Sequence, residues 1–143
     1  MRRLFLLLLP ALLACGDTTG EPAAAVNPQP IGYPDIEANE LYGASCAYAS
    51  GNSMAPIVIA FPDEAVMKID GAIRRFRVDS ESEGAPLGTD ARYLADDRVL
   101  LLTREGEGTP AGEEAARFTG SVRLIDGAGA VLYQTSGTVQ CGS

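Results

Sequence analysis

Val66-Met67-Lys68-Ile69-Asp70-Gly71-Ala72-Ile73-Arg74-Arg75-Phe76-Arg77-Val78 is the stretch from which the fold of this chain can be read. Val66, Lys68 and Asp70 alternate with Met67 and Ile69, the period-2 pattern of a strand that presents two different faces. Asp70-Gly71 then accepts the two positive φ angles of a type I′ turn, whose twist matches that of a two-stranded ribbon. The stretch therefore reads as a β-hairpin. In its second arm Arg74, Phe76 and Val78 share one face and Ile73, Arg75 and Arg77 the other, and the face with Phe76 is expected to look inward.

The same texture continues on both sides. Upstream, Ile57 to Phe61 is a continuous apolar run bounded by Pro56 and Pro62, short enough for a buried strand. Downstream, Asp79 to Gly84 reads as a polar loop, and Ala91 to Leu94 with Arg98 to Thr103 as a second hairpin around Asp96-Asp97. Glu105 to Glu114 carries Gly106, Gly108, Pro110 and Gly112 among glutamates and is expected to be an exposed, mobile loop. Phe118 to Ile125, the turn Asp126-Gly127-Ala128-Gly129, Ala130 to Gln134 and Thr138 to Cys141 form a closing meander. About seven or eight strands joined by short turns imply a mainly all-β domain, a small antiparallel β-barrel or sandwich. One short N-terminal helix is expected ahead of it, with Asp35 as N-cap and Gly43 as its stop. Gly16 to Pro34 has four prolines and no apolar period, so residues 15–34 read as a flexible linker and 35–143 as a single domain.

Residues 1–14 have a different character. Arg2 and Arg3 precede the apolar run Leu4 to Ala14, which is far shorter than the roughly 20 residues needed to span a bilayer and reads as the core of a secretory signal. The run ends in Leu12-Leu13-Ala14-Cys15, which resembles the lipobox of bacterial lipoproteins over residues 1–15. That resemblance implies cleavage before Cys15, acylation of Cys15, and anchoring of the mature chain in a lipid bilayer of the cell envelope. Gly16 follows the cysteine where aspartate would favour the inner membrane in enteric bacteria, which points to the outer membrane, facing the periplasm.

Loss of the leader removes Arg2 and Arg3 and leaves nine basic residues against 19 acidic ones, a net charge of −10. Lys68 is the only lysine. An acidic domain without a basic stripe repels nucleic acid and anionic headgroups and suits a cationic partner. Of the three cysteines, Cys15 is assigned to lipid, and export delivers Cys46 and Cys141 to an oxidising compartment, where one disulfide is possible. It would close a loop of about 95 residues, for which the chain-entropy model gives roughly 4 to 5 kcal/mol. Free or redox-active thiols are the alternative, but no Cys-x-x-Cys pair and no histidine supports them.

Chemistry is harder to place. Without histidine the usual nucleophile–base pairs cannot be built, and the adjacent Asp96-Asp97 and Glu113-Glu114 would point apart on a strand or be solvated in a loop. No catalytic residue, metal ligand or cofactor is expected. Asp79, Glu81, Glu83, Gly84 and Asp90 have the spacing of a calcium loop, but glutamates replace the shorter ligands and Pro86 interrupts it, so the run reads as solvated charge.

Thr89-Asp90-Ala91-Arg92-Tyr93 and Thr103-Arg104, in a domain with a cysteine at each end, resemble the membrane-bound inhibitors of c-type lysozyme over about residues 46–106. Members are small β-barrel lipoproteins or periplasmic proteins. Two of their loops carry Ser-Gly-x-x-Tyr and Tyr-x-x-x-Thr-Lys-Gly, whose serine and lysine engage the catalytic carboxylates of lysozyme. The resemblance implies a partner-binding set in which Thr89 stands for the serine, Tyr93 for the tyrosine, Thr103 for the threonine and Arg104 for the lysine. Asp90, Val99 and Glu105 depart from the pattern, and the two anions would weaken contact with a carboxylate-lined cleft. Taken without the resemblance, Tyr93 fills the barrel, Thr103 is an ordinary strand residue and Arg104 a solvated charge. The expected function is an envelope-anchored acidic β domain that binds a protein or envelope partner, a cationic protein such as lysozyme being the most concrete. The alternatives are a structural envelope lipoprotein without activity and, third, an enzyme.

Overall fold

The protein is described by a computed structural model covering residues 25–82 and 90–142, with the side chain of Asp90 excepted. Cys15, Glu83, Gly84, Pro86 and Thr89 lie outside the described residues.

The hairpin comprises β4 (Glu64–Ile69) and β5 (Ala72–Val78), once β1 (Pro28–Gln29), α1 (Tyr33–Asn39), β2 (Ser45–Ala49) and β3 (Pro56–Ala60) have been counted along the chain. Asp70 and Gly71 take φ values of 52° and 77°, as a type I′ turn requires, and Ile69 pairs with Ala72 across it. Phe76 is buried opposite Ala65, while Arg74, on the same face, emerges at the end of the strand. β6 (Asp90–Ala95) and β7 (Arg98–Pro110) repeat the arrangement around Asp96-Asp97, and β8 (Ala115–Ile125) and β9 (Val131–Gly142) complete the set.

From β2 to β9 each strand pairs antiparallel with the next, and β9 returns to pair with β2. The result is a closed eight-stranded barrel with no free edge among these strands, which decides between barrel and sandwich. Cys46 and Cys141 face each other directly across the β2–β9 seam and are joined by a disulfide, with Cα atoms 4.0 Å apart. Tyr48, Met67, Phe76, Tyr93, Leu100 and Leu124 fill the interior, so the barrel holds side chains where a larger one would hold a ligand.

β3 reads as continuously apolar because both of its faces are covered. Val58 and Ala60 turn inward, while Ile59 joins Phe61 and Val66 in a second cluster on the outer wall, sealed by Ile31, Leu41 and Ile36. α1 supplies Ile36, and its position differs from the expected one. The helix lies within the chain after β1, with Gly32 as N-cap, not at the N-terminus with Asp35 as cap. Asp35 sits two residues inside the helix, where its carboxylate reaches back to accept the Gly32 N–H at 2.8 Å, the role of the acid in a capping box. Glu40 closes the helix in the left-handed region (φ 54°), before Gly43 is reached.

Three other expectations change. Ordered packing begins inside the expected linker: the Val26 N–H donates to Leu132 O, β1 pairs with β4, and Ile31 is buried. Pro56 has no N–H to extend the β3–β4 ladder beyond Met67, and β1 takes up Lys68 and Ile69 in its place. Glu105 to Pro110 is not a loop but the outer half of β7. Gly106 and Gly108, at φ 86° and 76°, form a bulge after which pairing resumes at Thr109–Arg117. Finally, Val131 to Gln134 and Thr138 to Cys141, expected as two runs, belong to one strand, β9, that runs through Gly137. A Cβ there would lie 2.0 Å from Ala49 O, so the missing side chain is what lets β2 lie against β9.

Candidate functional site

The barrel has two unlike ends. Residues 25–26 join at the end formed by the β4–β5, β6–β7 and β8–β9 turns, here the entry end. The far end carries Phe61 to Asp63, the short 3-10 turn Ser80–Ser82 and the long β7–β8 hairpin.

The two segments that carry the inhibitor resemblance meet toward the far end, because Asp90 pairs with Thr103 in the β6–β7 register. Their side chains part. Tyr93 is wholly buried in the barrel, and its hydroxyl donates to Phe61 O at 3.1 Å. Burial, with the nearby Asp63 charge, pushes its pKa upward. Thr103 shares a hydroxyl–hydroxyl hydrogen bond with Ser121.

Arg104 follows Leu100 and Leu102 on the inward face of β7. Its guanidinium carbon lies 4.3 Å from the centre of the Phe118 ring, and Nη1 lies 3.4 Å from Cys141 Sγ and 4.0 Å from Cys46 Sγ. The residue is half-buried, Nε is buried without an acceptor, and Arg104 forms no ion pair with a described carboxylate. It is therefore not the solvated charge that the strand-end position alone suggested. Tyr48 lies deeper, its pKa pushed up to about 12 by burial and the neighbouring Tyr93, with Arg104 opposing the rise. Sequence reasoning missed Phe118 and Tyr48 as partners of this group; the signal was the alternation Leu100, Leu102, Arg104, which puts the arginine on the buried side of its strand.

The outside of the far end is acidic. Glu105, Glu107 and Glu113 are exposed on the β7–β8 hairpin, and Glu81 on the 3-10 turn. Asp79, the first residue of the calcium-like spacing, is engaged with Arg92, its Oδ2 2.7 Å from Nε. Among the described residues no three acidic, cysteine or histidine side chains gather as a metal site would require. No described helix is long and apolar enough to cross a membrane.

A larger opening lies at the entry end. It encloses about 710 Å³ between the N-terminal segment, the β4–β5 hairpin and the β6–β7 turn. Val26, Ile69 and Phe76 form its floor, with Asp70, Arg74, Asp96, Asp97 and Arg98 around it.

No protein family, curated protein or solved structure matches this chain.

Proposed function

We propose that this chain is an envelope-anchored lipoprotein whose acidic barrel binds a cationic envelope protein, with a c-type lysozyme as the most concrete partner. Cys15 is the lipid attachment, and the barrel is the part presented to the partner. The observation that carries this reading is the division of the barrel: the chain enters at one end, and exposed glutamates crowd the β7–β8 hairpin at the other. A linker from Cys15 to Val26 spans at most roughly 40 Å when extended. A barrel held from its entry end turns its acidic far end away from the lipid, where it draws a basic protein by long-range attraction.

The inhibitor resemblance adds the partner's class. The pairing of Asp90 with Thr103 brings its two segments together, whereas Tyr93 is buried in the barrel and Arg104 turns inward onto Phe118. That burial favours a second reading, a structural envelope lipoprotein that binds no such protein. The acylated protein in lipid vesicles separates the two by lysozyme activity on peptidoglycan. Inhibition at stoichiometric, low-micromolar concentration, weakening as salt rises, is the result expected of the first reading. Unchanged lysozyme activity at micromolar barrel leaves the structural reading alone.

A further inference from the structure

We infer that the entry end of the barrel is a binding site for a small zwitterion, a molecule carrying a free ammonium and a free carboxylate, of which a short unblocked peptide is the fitting class. The opening there encloses about 710 Å³, the largest volume among the described surface cavities. That is within the roughly 300 to 1,000 Å³ typical of small-molecule sites, and the mouths of β-barrels are among the places where such sites occur. It is at the opposite end from the acidic hairpin and does not depend on the function proposed above.

The case rests on what lines the opening. Its floor is apolar, built by Val26 from the N-terminal segment and by Ile69 and Phe76 from the first hairpin. Its rim carries both signs of charge: Asp70 on one turn and Asp96 and Asp97 on the next, with Arg74 and Arg98 beside them. The described ion pairs are Lys68–Asp35, Arg75–Glu64 and Arg92–Asp79, and none joins one of these five rim residues to another. Arg75 borders the opening from the other face of β5, where it is held by Glu64 and by the carbonyl of Asn39. An anion entering the opening meets three carboxylates, and a simple cation meets two guanidinium groups. A ligand with one charge of each sign can turn its ammonium to the aspartates and its carboxylate to the arginines, while its short apolar body rests on the floor. Arginine's planar fork suits a carboxylate in particular.

Because the rim side chains are largely exposed, each ionic contact is weak, and the expected dissociation constant is about 0.1 to 1 mM. The experiment is an NMR titration of residues 15–143 carrying Cys15→Ser, with free trialanine as the probe. Its N-acetylated, C-amidated and doubly blocked forms serve as the comparison series. Free trialanine is expected to shift the amides of Ala95, Asp96, Asp97 and Arg98 saturably, with each blocking group weakening binding by about fivefold or more. Arg98→Gln should erase the discrimination against the amide, and Asp97→Asn should reduce that against the acetylated form. Equal binding of free and doubly blocked peptide overturns the inference, as does the absence of saturable shifts up to about 10 mM. The peptide series reads the wild-type barrel alone, so the outcome does not hang on either variant folding.

Discussion

At the scale of single residues, Arg104 departs furthest from what its sequence neighbourhood suggests. A guanidinium stacked on Phe118 beside the disulfide holds three strands, β7, β8 and β9, in contact at one point. Arg104→Ala is expected to lower stability by about 1 to 3 kcal/mol, through the lost cation–π contact and the void left behind. Urea denaturation reads that loss as a lower midpoint. A variant of unchanged stability that no longer binds its partner would instead put Arg104 on a contact surface. Tyr48 sets the response to alkali. Its folded pKa of about 12 stands above the ordinary 10, so the folded state holds a proton that the unfolded state has lost. The contribution is intact below pH 10 and disappears as pH rises through the folded value, about 3 kcal/mol in all at roughly 1.4 kcal/mol per pH unit. Tyr48→Phe should flatten the fall in urea midpoint between pH 10 and 12; an undiminished fall would move its origin elsewhere. The burial of Tyr93 was legible, since a tyrosine in an alternating strand suits a barrel interior. The direction of Arg104 was not, because Phe118 and Cys141 come from strands that sequence proximity does not associate with it.

At the scale of elements, legibility followed locality. Asp70-Gly71 and Asp96-Asp97 determine their own turns, and both hairpins were readable to within a residue or two. The β7–β8 extension was not, because the glycines that mark a loop in isolation also mark a bulge in a paired strand, and only Thr109–Arg117 pairing distinguishes the two. α1 was seen but misplaced, since Asp35 can serve an N-terminus either as cap or from inside the helix. Its position has a measurable consequence. The carboxylate is held below its ordinary pKa of 3.8, first by the Gly32 N–H and then by Lys68, whose ammonium lies 2.9 Å away. A lowered folded pKa makes its contribution complete above the ordinary value and lost as pH falls through the folded one. Below about pH 4, α1 is expected to loosen from the outer wall while the disulfide-closed barrel persists. NMR shifts of the Ile36 and Ile59 methyl groups should report it, and Asp35→Asn should bring a similar loosening to neutral pH. Acid-insensitive methyl shifts in the wild type would show that the carboxylate does not hold the helix.

At the scale of the whole molecule, strand count and disulfide were both legible, because short alternating runs and a cysteine at each end of the β region leave few arrangements open. Barrel closure was not, since it depends on the β2–β9 register and on Gly137 admitting the backbone of Ala49, neither of which has a local signature. The same architecture separates charge. β7, 13 residues long, runs from Arg98 at the entry end into the acidic hairpin, a contour of roughly 40 Å at about 3.3 Å per residue. That greatly exceeds the Debye length of about 8 Å at physiological ionic strength, so charges at the two ends act on a partner separately. Glu113→Lys and Asp97→Lys alter the net charge equally but at opposite ends. If a cationic protein docks on the far end, stopped-flow association at about 0.15 M salt should slow several-fold for Glu113→Lys and hardly at all for Asp97→Lys. At about 0.01 M salt, where the Debye length reaches roughly 30 Å, both variants should slow, since the barrel is then felt more nearly as one charge. Equal slowing at physiological salt would mean that the partner responds to net charge without a preferred end, and orientation by the proposed lipid tether would have no part in recognition.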